Sequence, residues 1–135
     1  MYQKILVPID GSEHSKRALH EALNIAKMTS GTISLLNVLN RSLSFNSSNQ
    51  PNRQDKAQNT TLIEGQKIAQ AEGVSVETLQ LEGNVIDQIV KTAKEGKFDL
   101  IVVGARGLSK LEEIMLGSVS HGVLENSPCP VIVTR

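Results

Sequence analysis

Short apolar runs alternate along this chain with segments in which apolar residues recur at helical spacing. The runs are rich in Val, Ile and Leu and are bounded by Gly, Pro or polar residues, which is typical of strands buried on both faces of a sheet. The order β-α-β-α-β-α-β-α-β predicts an α/β fold, a parallel sheet with helices on both faces. The predicted strands cover 4–10, 32–39, 98–107 and 130–135, together with 74–83, which is predicted from the alternation of its residues.

One long segment interrupts this alternation. Fourteen of the 22 residues in 40–61 are Ser, Asn, Gln or Thr, and no apolar period is present. We expect a mobile loop within the domain, with the start of a helix near its end and the clearer part of that helix over 62–73. A disordered insertion is the alternative interpretation.

Length and composition restrict the class of protein. The 135 residues predict a single domain, 1–135, and the 14 basic and 14 acidic side chains cancel. This balance argues against nucleic acid or a membrane as a partner bound through charge. The absence of Trp argues against base stacking. With a short N-terminal apolar run and Cys129 as the only cysteine, we expect a cytoplasmic protein without an internal disulfide.

A glycine-rich segment follows the fourth predicted strand. It reads GARGLSKLEEIMLGS over 104–118. Open backbone N–H groups at the start of a following helix, a serine hydroxyl beside them and no Cβ in the way would make a phosphate site, to which Arg106 or Lys110 would add positive charge. The alternative is that the glycines only form turns, with Gly117 left-handed and Ser118 serving as a helix N-cap.

The first predicted strand also ends in a polar motif, Asp10-Gly11-Ser12. In an open parallel sheet a ligand binds beyond the carboxyl ends of the strands, where the strand order reverses. Asp10 would therefore face the glycine-rich segment if the first and fourth strands are neighbours. Because a carboxylate repels phosphate, a ribose, the adenine edge or a metal ion suits it better. Capping of the first helix is the alternative role.

These motifs together resemble the universal stress protein family. The family signature is Gly-x-x-Gly, nine residues and Gly-Ser, and it is matched by GARG, LSKLEEIML and GS over 104–118. The resemblance extends to ILVPIDGSEHS at the start, LLNVL after the first helix and SPCPVIVTR at the end. It implies a Rossmann-like, five-stranded parallel sheet with strand order 3-2-1-4-5. One departure is Asn37, where the family commonly has histidine.

The resemblance also implies bound ATP, for which we expect Mg²⁺ or Mn²⁺ as the accompanying cation. Asp10 and the backbone of Val38 would hold the nucleoside, and Gly104 would pass close to the ribose. The other implied contacts are Pro8, Ile9 and Val38 around the adenine, and Gly107, Gly117, Ser118 and Val119 around the phosphates.

The expected function is that of a regulatory stress-response protein in which bound ATP tunes conformation or partner binding. A slow ATPase or phosphotransferase is one alternative, although no motif places a general base and we assign no catalytic residue. A ligand-free interaction module is another. We expect a homodimer through residues 131–135, because an apolar edge strand is prone to aggregate unless it is paired.

Overall fold

The computed structural model describes residues 1–40, 53–105 and 117–135. Within these ranges strands and helices alternate as the sequence predicts, and no helix is long and apolar enough to cross a membrane. The strands are β1 Lys4–Pro8, β2 Thr32–Leu39, β3 Val76–Glu82, β4 Leu100–Gly104 and β5 Val131–Thr134. The helices are α1 Glu13–Thr29, α2 Arg53–Ala71, α3 Val85–Glu95 and α4 Ser118–Asn126.

The strands form one parallel sheet in the order β3-β2-β1-β4-β5. The central strand β1 pairs with β2, where Lys4 lies opposite Thr32, and with β4, where Ile5 lies opposite Leu100. The chain builds outward from β1 on one side and then crosses to β4 on the other. The predicted fold class and strand order are therefore confirmed, and the order reverses between β1 and β4.

Each face of the sheet carries its own hydrophobic core. Ile5 and Val7 of β1 point to the face covered by α1 and α2, whereas Leu6 points to the face covered by α3 and α4. Each of these three side chains is fully buried, and burying one such side chain contributes about 1.5–3 kcal/mol. This burial on both faces explains why the sequences of β1, β2 and β4 are largely apolar runs.

The beginnings of two helices agree with the sequence. Ser12 caps α1, because its hydroxyl accepts the Ser15 N–H at 3.2 Å. Asn84 caps α3, because its side-chain oxygen accepts the Asp87 N–H at 3.0 Å. Both caps satisfy backbone donors that have no partner within the first helical turn.

Helix α2 begins earlier than expected. It starts at Arg53, so residues 53–61 of the predicted loop 40–61 are helical. Residues 41–52 lie outside the described residues, and so do residues 109–116, for which the S-x-x-E pattern of Ser109 and Glu112 predicts a short helix. The start of α2 is polar and carries no apolar stripe until Leu62, which is buried against the sheet. Apolar periodicity therefore could not reveal these first turns.

The start of α4 corrects two expectations. Gly117 is the N-cap, with φ −66° and ψ 163°, so it is extended rather than left-handed. Ser118 is the first helical residue rather than the cap. Since Gly117 has no side chain, α4 begins without a side-chain acceptor from its own cap residue.

Candidate functional site

A cleft of about 190 Å³ opens beyond the carboxyl ends of β1 and β4. This is the place where the strand order reverses, and open parallel sheets bind their ligands there. Most of the lining is apolar, and the polar groups come from the turn between β1 and α1. The lining residues are Pro8, Ile9, Asp10, Ser12, His14, Ser15, Leu36, Val38, Val85, Ile89, Val103, Gly104 and Val119.

Six of the ten site residues predicted from the sequence line this cleft. They are Pro8, Ile9, Asp10, Val38, Gly104 and Val119. Gly117 and Ser118 directly precede Val119 but are not among the lining residues. Arg106 and Gly107 lie outside the described residues, as does Lys110.

The apolar wall of the cleft includes residues that the sequence analysis missed. Leu36 lies two residues before Val38 on the same face of β2, so strand alternation signals its position. Val85 and Ile89 lie one helical turn apart on α3 and reach the cleft from above the sheet. Their contribution depends on how α3 packs over the strands, which no local pattern encodes.

The turn after β1 holds Asp10 in a defined position. The Asp10 carboxylate accepts the Ser12 N–H at 2.9 Å, and the Asp10 N–H donates to the Ser15 hydroxyl at 3.4 Å. Gly11 between them has φ +88°, a left-handed conformation that favours glycine. Because Ser12 supplies the cap of α1, Asp10 is not needed for that role. Its carboxylate is an exposed acceptor at the rim of the cleft.

Gly104, the last residue of β4, is explained by the packing of α1. A Cβ at this position would lie 2.5 Å from both the carbonyl carbon and the oxygen of His14, and 2.8 Å from the His14 Cβ. The glycine therefore allows the first turn of α1 to approach the end of β4. Because packing alone requires a glycine here, the presence of Gly104 does not by itself indicate a ligand.

The N-terminus of α4 lies at the wall of the cleft across from Asp10 and contributes a positive electrostatic potential there. Val119, in its first turn, lines the cleft. The Gly117 carbonyl accepts the His121 N–H at 2.9 Å and the Ser120 hydroxyl at 3.0 Å, which starts the helix. The first N–H groups of a helix have no intrahelical partner and carry the positive end of the helix dipole. This end of the cleft therefore favours negative charge.

The described residues offer no preformed metal centre. No group of three or more His, Cys, Asp or Glu side chains lies together in the described ranges. Among the described lining residues Asp10 supplies the one carboxylate. Burial raises the pKa of the Cys129 thiol, although a hydrogen bond with Ser127 opposes this increase. Cys129 packs against the second core and does not line the cleft.

The chain is similar over its full length to curated relatives. It is 38% identical to the universal stress protein YxiE of Bacillus subtilis over 148 aligned positions, which cover all of both chains. It is 36% identical to a universal stress protein of Methanocaldococcus jannaschii, covering all of this chain and 83% of the relative.

Three solved structures with a similar fold contain adenine nucleotides. A universal stress protein in complex with cAMP is 28% identical, with a TM-score of 0.79 and coverage of 99% and 97% of the two chains. An Archaeoglobus fulgidus universal stress protein in complex with dAMP is 25% identical, with a TM-score of 0.76 and coverage of 99% and 98%. An Arabidopsis thaliana family protein with AMP bound is 26% identical, with a TM-score of 0.75 and coverage of 98% and 90%.

The sequence model of the universal stress protein family matches residues 1–135. This match extends over every element of the sheet, including both strand ends that frame the cleft. The chain therefore belongs to the universal stress protein family.

Proposed function

We propose that this chain binds ATP in the cleft between β1 and β4 and acts in the cytoplasm as a regulatory protein. The observation that carries the proposal is the chemistry of the cleft: an apolar wall, one carboxylate at the rim and a helix N-terminus on the far side. An adenine nucleotide needs the same three surroundings, for its base, its ribose and its phosphates respectively. The nucleotide-bound structures of similar proteins support the ligand class.

The base and ribose would occupy the end of the cleft near β1 and β2. Pro8, Ile9 and Val38 present apolar surface there, and the backbone of Val38 offers hydrogen-bonding groups to the adenine edge. The Asp10 carboxylate, held by the Ser12 N–H, would accept hydrogen bonds from ribose hydroxyls. A preformed acceptor of this kind costs little entropy when the ligand binds.

The phosphates would lie toward the start of α4. Val119 places the first turn of this helix at the cleft, and its open N–H groups attract anions. We include Gly107, Gly117 and Ser118 in this part of the site, with Arg106 adding charge, and place Gly104 close to the ribose. A Mg²⁺ or Mn²⁺ ion would be held mainly by the phosphates, since these cations take oxygen ligands and the described residues contain no cluster for them.

Calorimetric titration with adenosine, AMP and ATP tests the assignment of each part of the cleft. Asp10→Asn should weaken all three ligands by about ten- to a hundredfold, as expected for a lost hydrogen bond to a charged group. Asp87→Asn is the matched control, because Asp87 is an exposed acidic residue on α3 that does not line the cleft. Ser118→Ala should weaken ATP but leave adenosine unchanged. Wild-type protein that binds no adenine nucleotide at millimolar concentration would overturn the proposal.

The regulatory role is separated from catalysis by the fate of the bound ATP. A regulatory ligand remains intact over many binding lifetimes, so phosphate release in the presence of Mg²⁺ or Mn²⁺ should stay at the background rate. The alternative function, a slow ATPase, requires a rate of phosphate release that saturates with ATP concentration and decreases in Asp10→Asn. We expect no binding of nucleic acid or of lipid vesicles.

We also propose a homodimer through residues 131–135. In the described part of the chain β5 is an edge strand that pairs with β4 alone. Because the carbonyls of Pro130 and Thr134 accept from β4, the N–H groups of Val131 and Val133 point to the open edge. Val133→Pro removes one of these donors, whereas Val133→Thr keeps it. Light scattering should show monomer for the first variant and dimer for the second, and dimers of both would refute this interface.

A further inference from the structure

A buried amide lies behind the cleft, on the opposite face of the sheet. Asn37 of β2 is 1% exposed and sits on the face that α1 and α2 cover. Its Nδ2 donates to the Ile9 carbonyl at 2.9 Å and to Gln58 Oε1 at 2.5 Å, and its Oδ1 accepts from Gln80 Nε2 at 3.4 Å. Both donors of the amide are therefore used, as burial of a polar group requires.

The bond to Ile9 fixes the backbone at the rim of the cleft. Ile9 is the first residue after β1, and its N–H already donates to the Leu36 carbonyl at 2.8 Å. Asn37 holds the carbonyl of the same residue. Since a carbonyl can only accept, the orientation of the Asn37 amide is settled. The two peptide groups that flank the Ile9 Cα are thus both tied to β2, the preceding one through its N–H and the Ile9–Asp10 peptide through its carbonyl.

The second donor of the amide reaches a different element. Gln58 lies in the second turn of α2, within the stretch that the sequence had suggested as a loop. Gln80 lies on β3 directly opposite Asn37 in the sheet register. Asn37 therefore connects the start of α2 and the edge strand β3 to the strand end that carries Asp10.

We propose that Asn37 is a positioning residue for the nucleotide cleft. By holding the Ile9 carbonyl it sets the plane of the Ile9–Asp10 peptide and hence the aim of the Asp10 carboxylate. By holding Gln58 it also ties the first turns of α2 to β2, while the bond to Ile9 alone orients Asp10. The proposal rests on the function proposed above, because the ligand that Asp10 serves is the nucleoside end of an adenine nucleotide.

The first experiment needs no ligand. In a ¹⁵N-labelled sample, Asn37→Leu should move the amide resonance of Asp10, because the carbonyl of the same peptide group loses its hydrogen bond. Asn37→His keeps an N–H donor and should restore most of the wild-type shift. Gln58→Ala keeps the bond to Ile9, so it should leave Asp10 nearly unmoved while amide exchange rises in residues 58–62.

The second experiment measures adenosine affinity by calorimetry. Asn37→Leu should bind adenosine about tenfold more weakly, which is the loss expected when one hydrogen bond from Asp10 to the ligand is poorly oriented. Ile33→Val is the control for general destabilisation, because Ile33 is buried on the same face of β2 but at the end far from the cleft. Affinity should follow the Asp10 resonance across the variants and not their unfolding midpoints.

The outcomes separate this inference from the proposed function. An unmoved Asp10 amide in Asn37→Leu would overturn the positioning role whatever the protein binds. Equal losses of affinity in Asn37→Leu and Ile33→Val would also overturn it, since stability alone would then explain both. If the wild-type protein binds no adenosine, the proposed nucleotide function fails. The amide resonance of Asp10 then still decides whether Asn37 orients the Ile9–Asp10 peptide group.

Discussion

Gly104→Ala tests whether the glycine at the end of β4 serves helix packing or ligand binding. The added Cβ would lie 2.5 Å from the carbonyl carbon and oxygen of His14, about 0.9 Å inside ordinary contact, which begins near 3.4 Å. The obstructing atoms belong to backbone, so no side-chain rotation relieves the overlap. Helix α1 must move away from β4, although Ala18 and Ala22 in that helix are fully buried in the first core.

We expect Gly104→Ala to lose about 3 kcal/mol of unfolding free energy, the upper part of the range for overpacked cores. For a chain of this size the loss corresponds to a decrease in Tm of about 10 °C. Urea unfolding should be followed by circular dichroism, since the chain has no Trp. Gly73→Ala is the control, with φ +76° and open space around it, so it should lose only about 1 kcal/mol. If Gly104→Ala keeps the wild-type urea midpoint and loses only nucleotide affinity, the packing explanation is refuted.

Three further variants or measurements test the remaining physical arguments. Gly122→Ala gains about 1 kcal/mol of helix propensity, but its Cβ would lie 2.5–3.2 Å from three atoms of Ile86, so a net loss of about 1–2 kcal/mol is expected in urea unfolding; a more stable variant would contradict this. Burial raises the pKa of Cys129, so its thiol should react with an aromatic disulfide reagent at pH 8 more slowly than in the urea-unfolded chain, and its contribution to stability should be lost as the pH rises above the unfolded pKa of about 8.5. Equal reaction rates of Cys129 in the folded and the urea-unfolded protein would contradict the effect of burial on this thiol. Ser12→Ala should lose about 1 kcal/mol with the cap of α1, and an unchanged urea midpoint would contradict the role of that hydroxyl.

The order of elements was predictable because local and tertiary signals agree. Strands β1, β2 and β4 are largely buried and so appear as apolar runs, of which 100–103 is the clearest case, whereas the mostly exposed edge strand β3 was predicted from alternation. Ser12 and Asn84, residue types that favour N-caps, lie directly before the apolar period of their helices and cap them. The adjacency of β1 and β4 was implied only by the family resemblance, and it brings Asp10 and Gly104 into one cleft.

The features that the sequence analysis missed are those where a distant element decides the conformation. At Gly104 a packing constraint comes from His14, ninety residues earlier in the chain, and the expected role toward a ligand stays a prediction. The first turns of α2 are polar, and part of what holds them is the bond from Gln58 to the buried Asn37. Neither contact has a local pattern, so hydrophobic periodicity and turn chemistry could not reveal it.

In the candidate site, residues that packing requires can be separated from residues that bear more directly on the proposed function. Glycine at position 104 is required by packing whether or not a ligand binds. Asp10 is different, because Ser12 already caps α1 and leaves the carboxylate at the rim of an apolar cleft. The buried amide of Asn37 also donates a hydrogen bond to the carbonyl of Ile9, in the peptide group that precedes Asp10. The Asp10 carboxylate accepts the Ser12 N–H beside this cleft, and in the proposed function it would also hold the ribose, so Asp10 is the residue on which that function most directly depends.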